Sequence, residues 1–250
     1  MEATALGYPR MGGRPAAYVL EPVEALDATT AGQVRRIYED GFPARLRSDF
    51  GALTAHREDG ELALALLYGG QPRGFAMLRP LGDTGWVFLR YFVVDQQLRG
   101  QGVGGILWEH VTGRLRADGY TMLVFDVEDP AEPGLDEAES VIRSRRIAFY
   151  QRLGAGLLPV RGYHTPHPDT DTGQEGWIPM LLLAAPLAGP LAGPLAAPLA
   201  TAGPAAGAEQ ARAAEEARAI VSAVHKYRWD LAPGHPRASA VRIAAVPGHD

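Results

Sequence analysis

Apolar and polar positions divide the first 186 residues into short strands and helices. Leu62–Tyr68 and Arg73–Leu78 are apolar runs joined by the turn sequence GGQP, which predicts a β-hairpin. Trp86–Val94 predicts a third strand, and apolar residues at helical spacing predict a helix over Gly102–Asp118. The other predicted strands are Ala16–Leu20, Thr121–Val127, Leu157–Val160 and Trp177–Leu183. The other predicted helices are one capped by Thr29 or Thr30 that reaches Asp40, Pro43–Leu53, and Glu137–Leu153 with Ile142, Phe149 and Leu153 on its apolar face.

The order of these elements is β α α β β β α β α β β. Strands joined by short turns come first, and one strand–helix–strand crossover follows. Since short turns join antiparallel strands and a helical crossover joins parallel ones, the order predicts an α+β fold with a mixed, mostly antiparallel sheet.

The segment after the last predicted strand is rich in proline. No charged residue occurs from Trp177 to Ala208, a stretch long enough to span a bilayer. However, proline recurs every four residues from Pro186 to Pro198, which a helix interior does not tolerate. The pattern therefore predicts a Pro/Ala/Gly-rich linker over 187–207 between a domain at 14–186 and a C-terminal helix at 208–231, with a flexible tail at 232–250.

The predicted C-terminal helix has one apolar stripe at heptad-like spacing. Its members are Ala213, Ala217, Ile220, Val224, Tyr227 and Leu231. The stripe predicts docking on the chain's own domain, with pairing to a second chain in a homodimer as the alternative.

Composition excludes several classes of function. The chain has 250 residues and no cysteine, which excludes disulfide bonds, cysteine metal ligands and a cysteine nucleophile. A net charge of −5 argues against a nucleic-acid binder driven by bulk charge. Because the N-terminus has no apolar core of signal-peptide length and no membrane span is expected, a soluble cytoplasmic protein is predicted. His164 and His167 have no third ligand nearby in the sequence, so no metal is expected.

The stretch QQLRGQGVGG, residues 96–105, lies between a predicted strand and a predicted helix. A glycine-rich turn at a helix N-terminus presents free backbone N–H groups and the positive end of the helix dipole. Arg99 adds a positive charge. The stretch therefore predicts a phosphate or pyrophosphate site, with a tight turn that needs glycine only for its geometry as the alternative.

A dinucleotide site is one rival for this loop. Gly100, Gly102 and Gly105 satisfy G-x-G-x-x-G, and Asp126 lies near the ribose-binding offset. Against it, five residues separate the strand from the first glycine, several strands precede the loop, and too little chain follows Asp126 for a doubly wound sheet.

Two motifs carry a family resemblance that covers roughly 14–186. VVDQQLRGQGVGGILWEHV resembles the acyl-CoA-binding motif of the GCN5-related N-acetyltransferase (GNAT) superfamily, with Arg99, Gly102 and Gly104 in the pattern. RRIAFYQRLGA, residues 145–155, resembles that family's [FL]-Y-x-x-x-G helix. The resemblance implies a sheet with a splayed central strand pair flanked by helices, and acetyl-CoA as cosubstrate.

The resemblance also implies a site. The loop would hold the pyrophosphate of acetyl-CoA through Leu98, Arg99, Gly100, Gln101, Gly102, Val103 and Gly104. The pantetheine arm would enter beside Phe92, Val93 and Val94, where the N–H of Val93 or Val94 would polarise the thioester carbonyl. An amine would attack directly, without a covalent enzyme intermediate, and Tyr150 would protonate the departing thiolate; a packing role is the alternative for Tyr150.

The general base is less well defined. The family often has a glutamate on the strand before the loop, but WVFLRYFVV has Arg90 and Tyr91 there. Asp126 and Glu128 are the nearest carboxylates, on one face of their strand by its two-residue period. Glu128 lies nearer the strand end and is the predicted base, while a water chain or solvated carboxylates are alternatives.

Two functions follow. The first is an N-acetyltransferase acting on an unidentified amine, with a pocket shaped by the loops from Phe42 to His56 and from Gly162 to Gly176. The second is a non-catalytic acyl-CoA-binding regulatory module, which the missing strand carboxylate favours. Arg143, Arg145 and Arg146 are expected on a solvated face or paired with Glu137 and Glu139.

Overall fold

A computed structural model describes residues 17–55, 60–168, 175–187, 204–232 and 234–243. The strands are β1 (Tyr18–Pro22), β2 (Leu62–Tyr68), β3 (Gln71–Pro80), β4 (Trp86–Val94), β5 (Met122–Glu128), β6 (Gly156–Leu157), β7 (Val160–Arg161), β8 (His164–Pro168), β9 (Glu175–Pro186) and β10 (Arg242–Ile243). The helices are α1 (Ala28–Gly41), α2 (Phe50–Ala55), α3 (Val103–Ala117), α4 (Glu137–Arg152), α5 (Pro204–Ala223) and α6 (Pro236–Ala240).

The main sheet has the strand order β1-β2-β3-β4-β5-β9-β6, with β8 paired to β9. Among the described strands only β4 and β5 pair in parallel, and every other pair is antiparallel. The predicted α+β fold is therefore confirmed. A doubly wound dinucleotide-binding fold is excluded, because it requires a mostly parallel sheet.

The central strands β4 and β5 separate after three residue pairs. Phe88 and Val124 form the last pair, and the rest of each strand continues without the other. A β-bulge lies at the same place, because Leu89 faces Leu78 and Tyr91 faces Met77, which leaves Arg90 without a cross-strand partner. The predicted splay is thus present, and a gap opens between β4 and β5.

Helices cover both faces of this sheet. On one face, α3 and α4 pack through Leu107, Val111 and Tyr150 on β4 and β5. On the other face, α1 and α2 pack on β2 and β3 around Tyr38. The gap between β4 and β5 lies between these two helical layers.

The C-terminal helix packs on the second face and completes its core. Ala217, Ile220 and Val224 are buried in one cluster with Phe88 and Val124. This confirms the predicted docking through the stripe, while homodimer formation and the predicted domain division stay predictions. Residues 188–203 of the predicted linker lie outside the described residues.

The tail differs from the flexible segment that was expected over 232–250. Residues Pro236–Ala240 form α6, and β10 pairs with β7. The cause is apolar packing, since Val241 and Ile243 lie against the same cluster as α5. Residues 244–250 are outside the described part of the chain.

Other predictions need correction in detail. Asp27, and not a threonine, caps α1 by accepting from the N–H groups of Thr29 and Thr30. Ile142 is 49% exposed, because α4 turns Arg143 and Tyr150 toward the protein instead. Strand β8 was expected to be a loop. No helix in the described ranges is long and apolar enough to cross a membrane.

Candidate active site

The glycine-rich loop turns the chain from β4 into α3. Asp95 accepts a hydrogen bond from the N–H of Gln97 at 2.9 Å and starts a short turn. Gly100 and Gly102 have φ of 77° and 82°, in the left-handed region that favours glycine. Backbone geometry therefore requires glycine at these two positions, which agrees with the tight-turn alternative.

The same geometry leaves a cradle of free donors. Within the described residues, the N–H groups of Gly100, Gly102, Val103 and Gly104 have no hydrogen-bond acceptor. The next N–H along, that of Gly105, is bonded to the carbonyl of Gly102 at 3.0 Å. Free N–H groups at a helix N-terminus are suited to binding an anion, so the phosphate site stays a prediction that this geometry supports.

Arg99 stands beside this cradle with its side chain exposed. Its guanidinium forms no ion pair or hydrogen bond with any described residue. Gly104 faces the neighbouring helix, since a Cβ on it would lie 3.2 Å from Cζ of Phe149. The loop thus combines a free positive charge with a close approach to α4.

Past Phe88, β4 lines the gap with Phe92, Val93 and Val94. The ring of Phe92 lies 6.0 Å, centroid to centroid, from the ring of Tyr150 and also from that of Trp108. Since β5 has diverged here, the backbone on this side of β4 has no strand partner. The wall of the gap is therefore aromatic and apolar, with exposed main-chain groups.

Tyr150 reaches the gap from α4. Its ring packs 4.5 Å from Phe125 and 5.1 Å from Phe149, centroid to centroid. Its hydroxyl makes no hydrogen bond with the residues described, and its oxygen is not among their fully enclosed unpartnered atoms. Burial raises the pKa of Tyr150 to about 12, so the phenol is protonated and can donate.

Glu128, at the end of β5, is held by two arginines of α4. Its Oε2 accepts from Nη1 of Arg146 at 2.7 Å, and its Oε1 lies 3.4 Å from Nη2 of Arg143. Arg143 is 4% exposed and also pairs with Glu132 at 2.6 Å and Glu139 at 3.1 Å. The predicted pairing with Glu139 is present for Arg143, but this arginine is buried rather than solvated because it ties α4 to β5.

A second polar group lies on the other face of the sheet, at the point where the strands part. Glu61 is 6% exposed and its Oε1 lies 2.8 Å from Nη1 of Arg90 and 3.5 Å from Nη1 of Arg79. Tyr91, which follows Arg90 on β4, accepts a hydrogen bond at its hydroxyl oxygen from the N–H of Ser48 at 3.1 Å. The segment before α2 is thereby fixed to β4.

Asp126 lies across the gap from this group. Its Oδ2 accepts from the hydroxyl of Tyr163 at 3.0 Å, and that hydroxyl accepts from Nε1 of Trp229 at 3.0 Å. Burial raises the pKa of Asp126 to about 6, opposed by Arg228 and by the Tyr163 hydrogen bond. Burial also lowers the pKa of Arg228 to about 10, helped by the charge of Arg90 and opposed by Asp126.

The two segments predicted to shape the acceptor pocket meet in the fold. Strand β8, within the segment from Gly162 to Gly176, contacts the turn Ala44–Leu46 of the other segment. No cluster of three metal-ligating side chains occurs among the described residues, which include His164.

The sequence predicts roles for the loop, Tyr150 and Glu128 and names Asp126 as an alternative, and these stay predictions, whereas it does not single out Arg228 and Tyr163, which the structure places near Asp126. Arg228 lies in a π-helical turn, Val224–Arg228, that follows α5. Its only sequence signal is the cluster HKYRWD, in which cationic and aromatic residues alternate next to an apolar stripe.

The chain is similar to known proteins both in sequence and in fold. Residues 31–155 match the model of the acetyltransferase (GNAT) family. No curated protein matches the chain. A GNAT-family protein from Bacteroides thetaiotaomicron has a similar structure with a TM-score of 0.54 and 22% identity, covering 67% of this chain and 86% of its own. An aminoglycoside 6'-N-acetyltransferase complexed with coenzyme A gives a TM-score of 0.51 at 15% identity, covering 69% of this chain and 98% of its own.

Proposed function

Because this chain belongs to the acetyltransferase (GNAT) family, we propose that it transfers an acetyl group from acetyl-CoA to an amine by direct attack in a ternary complex. The proposal rests on the presence of two features in one candidate site: the free N–H cradle at the start of α3 and the unpartnered hydroxyl of Tyr150. A cradle alone supports binding. A protonated phenol at the same gap supports chemistry as well.

The cradle is suited to the pyrophosphate. The N–H groups of Gly100, Gly102, Val103 and Gly104 would donate to its oxygens, and Arg99 would pair with its charge. Leu98 and Gln101 complete the loop, and the apolar wall of Phe92, Val93 and Val94 suits the pantetheine arm. Of the two predicted donors, Val93 and Val94, the register favours Val94: the N–H of Asp95 bonds to Arg73 of β3, so the alternation along β4 turns the N–H of Val93 to β3 and that of Val94 to the gap. The N–H of Val94 would donate to the thioester oxygen as negative charge develops there.

Tyr150 would act as the general acid. The amine nitrogen forms a bond to the acetyl carbon, the C–S bond breaks, and the thiolate takes the phenolic proton. With its raised pKa the phenol is protonated at neutral pH, so the proton is on Tyr150 when the C–S bond breaks. The hydroxyl has no competing acceptor among the described side chains, so it is available for that role.

Two carboxylates, Glu128 and Asp126, are candidates for the base that removes the ammonium proton. Glu128 stays a prediction, but both of its oxygens lie near arginine nitrogens, which favours an anchoring role. Asp126 is the other carboxylate at the gap. With a pKa of about 6 it is ionised at neutral pH and remains a basic acceptor.

A non-catalytic acyl-CoA-binding module is the second candidate. It is favoured by β4, which carries Arg90 and Tyr91 and no carboxylate, and by the ion pairs of Glu128. Such a module would bind acetyl-CoA through the same loop and release no thiol.

Two measurements separate these candidates. Calorimetry with acetyl-CoA and with NADH should show binding of acetyl-CoA only. Thiol release with a panel of amines should then show turnover. Binding without turnover on any amine would favour the module, and binding of NADH alone would contradict both.

A further inference from the structure

Arg228 lies where the central strands part, on the face opposite Tyr150. Its Cζ lies 5.7 Å from the centroid of the Phe88 ring, and Phe88 forms the last β4–β5 pair with Val124. Phe88 belongs to the core cluster under α5, whereas Tyr150 belongs to the cluster under α3 and α4. Since the cradle and Tyr150 occupy one side, the Arg228 side is the one left for an acceptor.

The guanidinium of Arg228 is short of partners. It stacks on Trp229, with Cζ 3.8 Å from the ring centroid, but it forms no hydrogen bond or ion pair with any described residue. Its Nε is fully enclosed. A charge withdrawn from water is ordinarily paired, because desolvation without a counter-ion is costly. An enclosed guanidinium donor without an acceptor therefore indicates a missing anion.

Arg90, on β4, shows the same deficit. Its Nη1 bonds to Glu61, which is shared with Arg79, while its Nε is enclosed and unpartnered. Arg90 lies two residues after Phe88 on β4, and the guanidinium of Arg228 lies over the Phe88 ring, so both guanidiniums belong to the place where the strands part. In line with this, the charge of Arg90 lowers the pKa of Arg228, after the larger effect of burial. Asp126 is near Arg228 but bonds to Tyr163 instead. The described fold thus brings two incompletely paired guanidiniums to one place.

We propose that Arg90 and Arg228 bind a carboxylate of the acceptor, so that the acceptor is a small zwitterion that carries both an amine and a carboxylate, such as an amino acid. The inference rests on the function proposed above. Guanidinium N–H groups match the two oxygens of a carboxylate in spacing and plane. The C-terminal segment completes the acceptor site by supplying Arg228, and the anchored acceptor directs its amine into the gap beside Asp126.

Matched acceptor pairs test this directly. Thiol release is measured with glycine against glycinamide, β-alanine against β-alaninamide, and phenylalanine against phenylalaninamide. At least one acid should exceed its amide at least tenfold in kcat/KM. The amine of each amide is less basic than that of the matching acid, so more of it is unprotonated and able to attack. This difference alone would favour the amides and therefore works against the expected result. Amides used as well as or better than the acids in every pair would overturn the inference.

Substitutions of Arg228 tie the preference to this residue. Arg228→Met keeps an unbranched stem over Phe88 and removes the charge, and it should bring the acid-to-amide ratio near one. Arg228→Lys keeps the charge and should retain part of the preference. Arg218→Met, at an exposed position of α5, is the matched control and should leave the ratio unchanged. An unchanged ratio in Arg228→Met would exclude Arg228 from the site.

A binding measurement separates this inference from the proposed function. Melting temperatures are recorded with CoA and either N-acetylphenylalanine or its amide. The acid alone should stabilise the parent protein, and Arg228→Met should abolish the effect. If no amine is acetylated but this acid-specific stabilisation appears, the carboxylate site stands and the proposed function fails. If neither form stabilises and no acid is preferred in turnover, the inference fails. Should Arg228→Met not fold, the comparison of acid with amide on the parent protein decides alone.

Discussion

Tyr150 packs its ring at a tilt of 52° against Phe125 at a centroid distance of 4.5 Å, and its hydroxyl has no hydrogen bond to any described residue. The two residues come from α4 and β5, the two elements that are also joined by Arg146 and Glu128. One end of α4 is thus fixed by packing and a middle turn by charge. The free hydroxyl is placed by these contacts and not by a polar partner of its own.

Tyr150→Phe keeps the ring and its packing and removes the proton donor. Turnover should fall by about 10²–10⁴-fold, because general-acid assistance is realised only as the C–S bond breaks. The affinity for acetyl-CoA should stay within about twofold, since the phenol contributes little before that step. Steady-state kinetics and calorimetry measure the two effects. Tyr120→Phe, in the same packing cluster but after the far end of α3, is the control. Parental turnover in Tyr150→Phe would make Tyr150 a packing residue.

Gly104 and Gly105 are adjacent glycines with different surroundings. Gly104→Val should weaken CoA binding about tenfold or more, or ~1.4 kcal/mol, because the side chain meets Phe149 and fills the approach to the free N–H. Gly105→Ala meets no atom within 4 Å, and its N–H is already bonded. It should leave binding unchanged and raise helix stability by about 0.5 kcal/mol. Equal losses at both positions would contradict this placement of the ligand.

Glu128→Gln separates a base from an anchor. As an anchor, Glu128 should cost about 3 kcal/mol of stability when neutralised, since Arg143 and Arg146 each lose a carboxylate. The ion pairs lead us to expect this loss together with a pH–rate profile of unchanged shape. Glu132→Gln, which removes another partner of Arg143, controls for the ion-pair effect. A rate loss that rising pH partly restores would assign the base to Glu128.

Asp126 should make stability depend on pH. Its pKa of about 6 lies above the ordinary 3.8, so its protonated form favours the folded state. That contribution is fully present below about pH 3.8 and is lost as pH rises through about 6, by at most about 3 kcal/mol. The free energy of unfolding of Asp126→Asn, relative to that of the parent, should therefore rise between pH 4 and 7. Only the parent loses the contribution of the protonated carboxyl over that range. The exposed Asp83→Asn corrects for loss of one negative charge, and parallel curves for parent and Asp126→Asn would contradict the assignment.

Ile220→Ala tests the docking of α5. The side chain is fully buried among Phe88 and Val124, so its truncation should cost about 2–5 kcal/mol in the free energy of unfolding. Arg218→Ala, two residues away in sequence but exposed, should change stability by no more than about 0.5 kcal/mol. Chemical denaturation gives both values. A small effect at Ile220 would mean that α5 is only tethered to the sheet.

Local patterns predicted much of the fold because they are set by neighbouring residues. The strand Trp86–Val94 was predicted with the bounds that the structure shows, since turns flank an apolar run. The glycine loop was recognisable because its spacing reflects backbone conformation, with left-handed φ at Gly100 and Gly102.

The rest depends on contacts between distant parts of the chain. Arg143 is a surface residue by the period of α4, but three carboxylates draw it inside. Strand β8 looks like a loop because HTPHP has two prolines and little apolar character, and it is held by pairing with β9. Arg228 lies over Phe88 because the C-terminal segment packs on the sheet there, a long-range contact that no local pattern encodes.

Late arrival of α5 has a consequence for biosynthesis. Phe88 and Val124 leave the ribosome roughly a hundred residues before Ile220, which covers them in the finished protein. Contacts at such separation form slowly, and an uncovered apolar sheet face is prone to aggregation meanwhile. The nascent chain therefore exposes an apolar sheet face until α5 has been synthesised, and products truncated before α5 should be cleared by proteases or held by chaperones.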